Sequence, residues 1–147
     1  MNERDRFGVT AEENLETVAR LGEAFNAQGW DGVIPFLHPQ FEFHEPPEQL
    51  GATSFHGLEA AREGFARWAE TWLEQRSDPQ GFEILPDGRI LVFTRERMTG
   101  RDGLRVEQES GQLFAFRDGK VVGWQVFWDP ANARAAAEAP PPAAWMQ

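Results

Sequence analysis

Three side chains have the type and placement to do chemistry. The run Phe41-Glu42-Phe43-His44-Glu45 alternates like a half-buried strand, which aims the Glu45 carboxylate where the Phe41 and Phe43 rings point. A carboxyl among rings ionises reluctantly and can carry protons near neutral pH. The opposing reading is a rim carboxylate in water, beyond a strand ended by Pro46-Pro47. Arg95 lies on the strand Ile90–Met98 and shares a face with Leu91, Phe93 and Arg97. If that face is concave, Arg95 partners Glu45 or an anionic ligand. In the opposite register Ile90, Val92 and Thr94 point inward, with an apolar set about as good. Gln112 is a strongly polar residue on an otherwise aromatic strand face. His38, His44 and His56 lack metal-ligand spacing, and the absence of Cys excludes thiol chemistry and zinc–thiolate sites. Regular alternation turns His44 away from Glu45, although a bulge before Pro46 would reverse the two.

These residues must be held by helices followed by strands. Residues 11–28 form an amphipathic helix, with Thr10 and Glu13 as a capping box and Leu15, Val18, Leu21, Gly22 and Phe25 as its buried stripe. Asp31 is expected to cap a short second helix over residues 32–37, stopped by His38-Pro39. Residues 48–57 read as loop, and residues 58–75 as a long helix burying Leu58, Ala61, Phe65, Trp68, Ala69 and Trp72. After Ser77-Asp78-Pro79 come strands at 82–85, 90–98, about 105–117, and the strand that begins after Asp118-Gly119.

Asp118-Gly119 between apolar runs is a hairpin signal, and its loop type decides which side chains share a face. A two-residue loop would place Phe114 and Phe116 with Val121, Gly123, Gln125 and Phe127. A loop with Gly119 left-handed as a bulge places them with Val122, Trp124, Val126 and Trp128. The second separates apolar from polar more cleanly and is adopted, which turns Gln112 inward.

The 147 residues fit one domain, with 41% hydrophobic and 26% charged side chains. A net charge of −10 argues against nucleic acid and anionic membranes. No apolar run approaches the ~20 residues of a membrane span, and MNERDRFG lacks a signal-peptide core, so a cytoplasmic location is expected. Six Trp and twelve Phe, with no Tyr, fill a core and can also line a pocket.

This order resembles the nuclear transport factor 2-like superfamily, and within it the SnoaL-like branch, over about residues 10–137. The carriers are AFNAQGWDGVIPFLHP, FHEPPE, HGLEAAREGFARW and FAFRDGKVVGWQVFWDPANA. The resemblance implies an α+β fold, a cone-shaped curved antiparallel sheet wrapped around a long helix, often dimeric. A pocket would lie between the concave sheet and the helices. The superfamily includes ketosteroid isomerase, polyketide cyclases, scytalone dehydratase and limonene epoxide hydrolase, beside members that bind without catalysing, so fold does not settle function.

By the same resemblance, Glu45 matches the general-base carboxylate of isomerase-like members. Gln112 falls where they carry an oxyanion-stabilising acid, for which an amide is the weaker donor. The isomerase tyrosine corresponds to Leu21, which counts against steroid isomerisation. The two Asp bracketing an Arg in the epoxide hydrolases have no clear match. The expected pocket takes Phe43, Phe93, Phe114, Trp124 and Trp128 from strands, Phe65 and Trp68 from the long helix, and His56 from the loop at its mouth. Three functions fit: cofactor-free acid–base chemistry on an apolar small molecule, with Glu45 as shuttle and Gln112 or Arg95 stabilising charge; binding without chemistry; and a dimeric accessory domain. A homodimer is expected through the outer sheet face at Ala115, Gly123 and Gln125. Residues 1–137 form the domain and 138–147 an Ala/Pro-rich tail.

Overall fold

The structure, a computed structural model, describes residues 9–146. Helix α1 (Ala11–Gln28) starts at Thr10, whose Oγ1 accepts from the Glu13 amide at 3.1 Å, and buries Val18, Leu21 and Phe25. Helix α2 (Trp30–Val33) follows directly and runs into a 3-10 turn, Ile34–Phe36. Gly29, at φ 72°, occupies its N-cap in place of the expected Asp31, because only the glycine accepts the backbone reversal there. The helical run ends at Phe36, one residue short of the expected Leu37, and strand β1 (Leu37–His44) starts at once and carries His38-Pro39 within it.

The segment read as loop before the long helix contains a short strand, β2 (Ser54–His56), paired with β1. Helix α3 (Leu58–Thr71) ends four residues earlier than its apolar stripe suggests. Arg101, from the distant turn that follows Gly100, donates to the Glu70 carbonyl at 2.6 Å and the Ala69 carbonyl at 3.1 Å, satisfying the helix end. Trp72 is already extended and opens strand β3 (Trp72–Ile84), so it is not a helical pocket residue. Ser77-Asp78-Pro79 is no break. Edge strand β3 tolerates Pro79 beside a register shift at Pro79/Gly81.

Strands β4 (Ile90–Gly100), β5 (Arg105–Arg117) and β6 (Lys120–Phe127) complete one six-stranded sheet, ordered β2-β1-β6-β5-β4-β3 and antiparallel except between β1 and β6. The β5–β6 loop is the two-residue kind. Arg117 pairs with Lys120, and both Asp118 (φ 56°) and Gly119 (φ 75°) are left-handed. A bulge lies inside β6 instead, so Phe116 pairs with Val121, yet Phe114 pairs with Trp124. Trp124, Val126 and Trp128 therefore point inward as expected, whereas Val121 replaces Val122 there.

Apolar layers cover both sheet faces. On the concave side Phe41, Phe43, Phe65, Phe114 and Trp124 pack with α1 and α3. On the convex side lies helix α4 (Pro130–Glu138), capped by Asp129, and then Trp145, where a frayed turn and tail were expected. These two bury Leu91, Leu113, Val122 and Phe127. Buried Arg89 fastens the segment, donating to the carbonyls of Ala137 at 3.1 Å and Ala139 at 2.9 Å. A Cβ added at Gly123 would overlap the Trp145 ring, and one at Gly111 would overlap Ala133 Cβ. The small residues offered above as a dimer surface thus receive the chain's own side chains.

Candidate active site

A cavity of about 250 Å³ lies between the concave sheet and helices α1, α2 and α3. Most of its wall is apolar: Phe25, Trp30, Phe43, Trp68, Trp124 and Trp128 contribute, and Phe82 stands nearby with substantial exposure. Trp30 is stacked on Phe65 at 4.4 Å, and its indole N–H donates to Gln75 Oε1 at 2.8 Å. Polar groups gather where β3, β4 and β5 run side by side, at Ser77, Thr94, Glu96, Gln108, Ser110 and Gln112. Glu96 and Glu23 are the titratable groups among the described lining residues, and Glu23 is exposed on α1.

Glu96 was not anticipated. Strand β4 takes the second register, so Ile90, Val92, Thr94, Glu96 and Met98 turn inward. Both faces of Ile90-Leu91-Val92-Phe93 are covered, Leu91 and Phe93 by the outer layer, so apolarity could not choose between registers. The signal was present two residues past Thr94: in that register the next inward side chain is a carboxylate.

The Glu96 carboxylate is held through one oxygen. Oε1 accepts from Thr94 Oγ1 at 2.8 Å, Ser77 Oγ at 2.9 Å and Gln112 Nε2 at 3.2 Å. No described side chain donates to Oε2. Gln112 in turn accepts at its Oε1 from the Trp124 indole N–H at 2.8 Å. Burial pushes the Glu96 carboxyl above the ordinary glutamate value; the Thr94, Ser77 and Gln112 hydrogen bonds oppose this without cancelling it, and the charge of Asp78 adds to the rise. A carboxyl that stays protonated higher up the pH scale, with one oxygen uncommitted, can deliver or accept a proton.

Of the residues picked from sequence, the cavity wall brings together Gln112, Phe43, Trp68, Phe114, Trp124 and Trp128. Phe65 lies just behind, in the core against Trp30 and Phe43. Four others are elsewhere. Glu45 stands outside the cavity, where its Oε1 accepts from the Thr53 amide and hydroxyl, both at 3.1 Å, and its Oε2 from the Trp68 indole at 2.9 Å. Burial alone would raise this carboxyl, but the Trp68 and Thr53 bonds prevail and hold it below the ordinary value. That is the signature of a carboxylate that ties elements together. Arg95 is exposed on the outer face and paired with Glu107 at 2.7 Å. Phe93 is on the same outer face, 5.6 Å beneath the Arg134 guanidinium. His56 is exposed, and both it and His44 contact Glu42 on the outside of β1 and β2. Among the described residues no group of three His, Cys, Asp or Glu could hold a metal ion, and no helix is long and apolar enough to cross a membrane.

A family model described as the SnoaL-like domain matches residues 18–124. The chain belongs to the SnoaL-like domain family. Solved structures agree on the fold. An NTF2-like protein of unknown function from Burkholderia pseudomallei is 23% identical, covering 86% of this chain and 98% of its own, with a TM-score of 0.71. Bal32a, from a soil-derived mobile gene cassette, is 27% identical over 82% of this chain and 93% of its own, with a TM-score of 0.70. SalBIII, an epoxide hydrolase/cyclase-like enzyme of pyran ring formation in the polyether salinomycin, is 21% identical over 80% and 92%, with a TM-score of 0.68. None of the curated proteins matches this SnoaL-like chain.

Proposed function

We propose that this SnoaL-like protein takes a small, largely apolar molecule into the cavity and moves a proton on it with Glu96, without a cofactor. The chemistry is of the isomerase, cyclase or dehydratase kind. The carrying observation is the Glu96 carboxyl itself: inward, desolvated, committed through Oε1 and open at Oε2. Gln112, Thr94 and Ser77 are its positioning residues, and the rings of Trp30, Trp68 and Trp124 keep water from the reacting centre. Glu45 and Arg95 have other duties in this reading.

Binding without turnover is the second reading, favoured by the scarcity of titratable groups: besides Glu96, the described lining residues offer Glu23, which is exposed on α1. Proton exchange separates the two. Cyclic ketones of polyketide-like and terpenoid-like skeletons are incubated in deuterated water, and label at the α-carbon is followed by NMR. The expected result is protein-catalysed exchange that falls by roughly 100-fold or more in Glu96→Ala and persists in Glu45→Gln. Exchange that survives Glu96→Ala, or that disappears in Glu45→Gln alone, overturns the assignment. Binding with no exchange leaves the second reading.

A further inference from the structure

We infer that the cavity selects neutral ligands bearing a hydrogen-bond-accepting oxygen, a carbonyl or an enol ether, over amines and carboxylates, because its hydrogen-bond network runs in one direction and makes Glu96 Oε2 the O–H donor whenever the carboxyl is protonated. This rests on the reading of the cavity as a ligand site and adds the class of ligand.

The direction is set by an indole. Trp124 Nε1 can only donate, so Gln112 must present its carbonyl oxygen to it and its NH₂ to the other side. That NH₂ reaches Thr94 Oγ1 at 3.3 Å and Glu96 Oε1 at 3.2 Å. Thr94 Oγ1, accepting there, sends its own hydrogen to Glu96 Oε1 at 2.8 Å. Oε1 is therefore an obligate acceptor, and a proton on this carboxyl resides on Oε2. Ser110, cross-strand partner of Thr94 on the same wall, is 1% exposed, and its Oγ has no partner among the described residues. The wall thus holds hydroxyl hydrogens in want of an acceptor, and a ligand oxygen is the group it lacks.

The charged groups around Glu96 are few. Asp78 on β3 is tied to Arg76 at 3.0 Å and Arg97 at 2.8 Å on the outer side, and Glu23 faces the cavity from α1. The wall residues from α2, α3, β5 and β6 (Trp30, Trp68, Gln108, Gln112 and Trp124) are uncharged. While Glu96 is protonated, an amine would find Glu23, exposed on α1, as its ionised partner in the described lining and none on the Glu96 wall, and a carboxylate would find no cation among those residues.

The test uses four naphthalenes of equal size: the methyl ketone, the isopropyl isostere without an acceptor, the carboxylate and the primary amine. Each is titrated calorimetrically into the full chain from pH 5 to pH 9. The ketone is expected to bind about tenfold tighter than the isopropyl compound at the acid end, and the preference should fade as pH rises through the Glu96 titration. Glu96→Gln should keep the preference at every pH, since its amide oxygen must take the Oε1 place and its NH₂ then donates from the Oε2 place. Glu96→Ala should lose it. Circular dichroism confirms that both variants fold. If all four compounds bind alike, or the amine binds best, the ligand class is wrong while the cavity remains a binding site. If none binds at millimolar concentration, the cavity reading fails and this inference with it.

Discussion

Substituting Gly123 by alanine tests how the outer layer is held to the sheet. The new Cβ overlaps three atoms of the Trp145 ring, which is only 5% exposed and so has little room to yield. If the ring shifts in place, overpacking costs about 1–3 kcal/mol. If it leaves, roughly 200 Å² of indole returns to water, about 5 kcal/mol at 25 cal/mol per Å². The cheaper response prevails. Alanine recovers about 0.5–1 kcal/mol over glycine in a strand, so a net loss of about 1 kcal/mol is expected. For a chain of this size that is about 3–4 °C in Tm. The decisive measurement is a double-mutant cycle with Trp145→Ala, read by urea and thermal unfolding in far-ultraviolet circular dichroism. Without the ring, Gly123→Ala should be neutral or slightly stabilising, giving a coupling of about 1–3 kcal/mol, the overpacking cost itself. An equal cost in both backgrounds would mean that Trp145 is not seated on Gly123. The convex face would then be open for another subunit.

Two further predictions concern pH and carboxylates. Because the Glu96 value is raised in the folded state, the unfolded chain releases that proton first, so its contribution to stability declines as pH climbs from the unfolded value through the folded one. Glu96→Gln should accordingly match the parent Tm near pH 4 and exceed it at pH 8; an unchanged difference across that range would contradict the desolvated carboxyl. Glu45 has the opposite sign: its stabilisation is present above the unfolded value and lost as pH falls through the folded one. Glu45→Gln should cost under about 1 kcal/mol at pH 7 and progressively less as pH falls through the folded value, with ligand affinity unaltered, and a loss of affinity at full stability would return Glu45 to the site.

Helices α1 and α3 could be read from periodicity, because each presents one apolar face to one core, whereas β5 and β6, buried on both faces, were marked by the Asp118-Gly119 turn between two apolar runs. Misreadings gathered where that condition fails. At Ile90-Leu91-Val92-Phe93 both faces are buried, so alternation carried no information about direction, both registers stayed open, and the carboxylate two residues beyond Thr94 was not singled out. Glu45 showed the converse: alternation aimed it with Phe41 and Phe43, but β1 ends at His44, and past that end Thr53 and Trp68 decide where the side chain goes. The end of α3 depended on Arg101, thirty positions away, and no local window contains such a partner. The hairpin loop was misassigned by one residue for a subtler reason. A bulge was correctly required to bring Phe114 beside Trp124, but it sits within β6 rather than at Gly119.

The outer layer also sets an order of events during synthesis. Residues 130–146 are synthesised after every strand of the sheet they cover, so Leu91, Leu113, Val122 and Phe127 have no lid until this last segment has emerged and docked. At roughly 5–20 residues per second its synthesis alone takes on the order of a second or more, and the interval lasts until it docks. During it the nascent sheet shows water an apolar face of the kind that chaperones hold and neighbouring chains adhere to. The Arg89 guanidinium, waiting at the β4 end of that face for the carbonyls of Ala137 and Ala139, gives the late segment a fixed place to land.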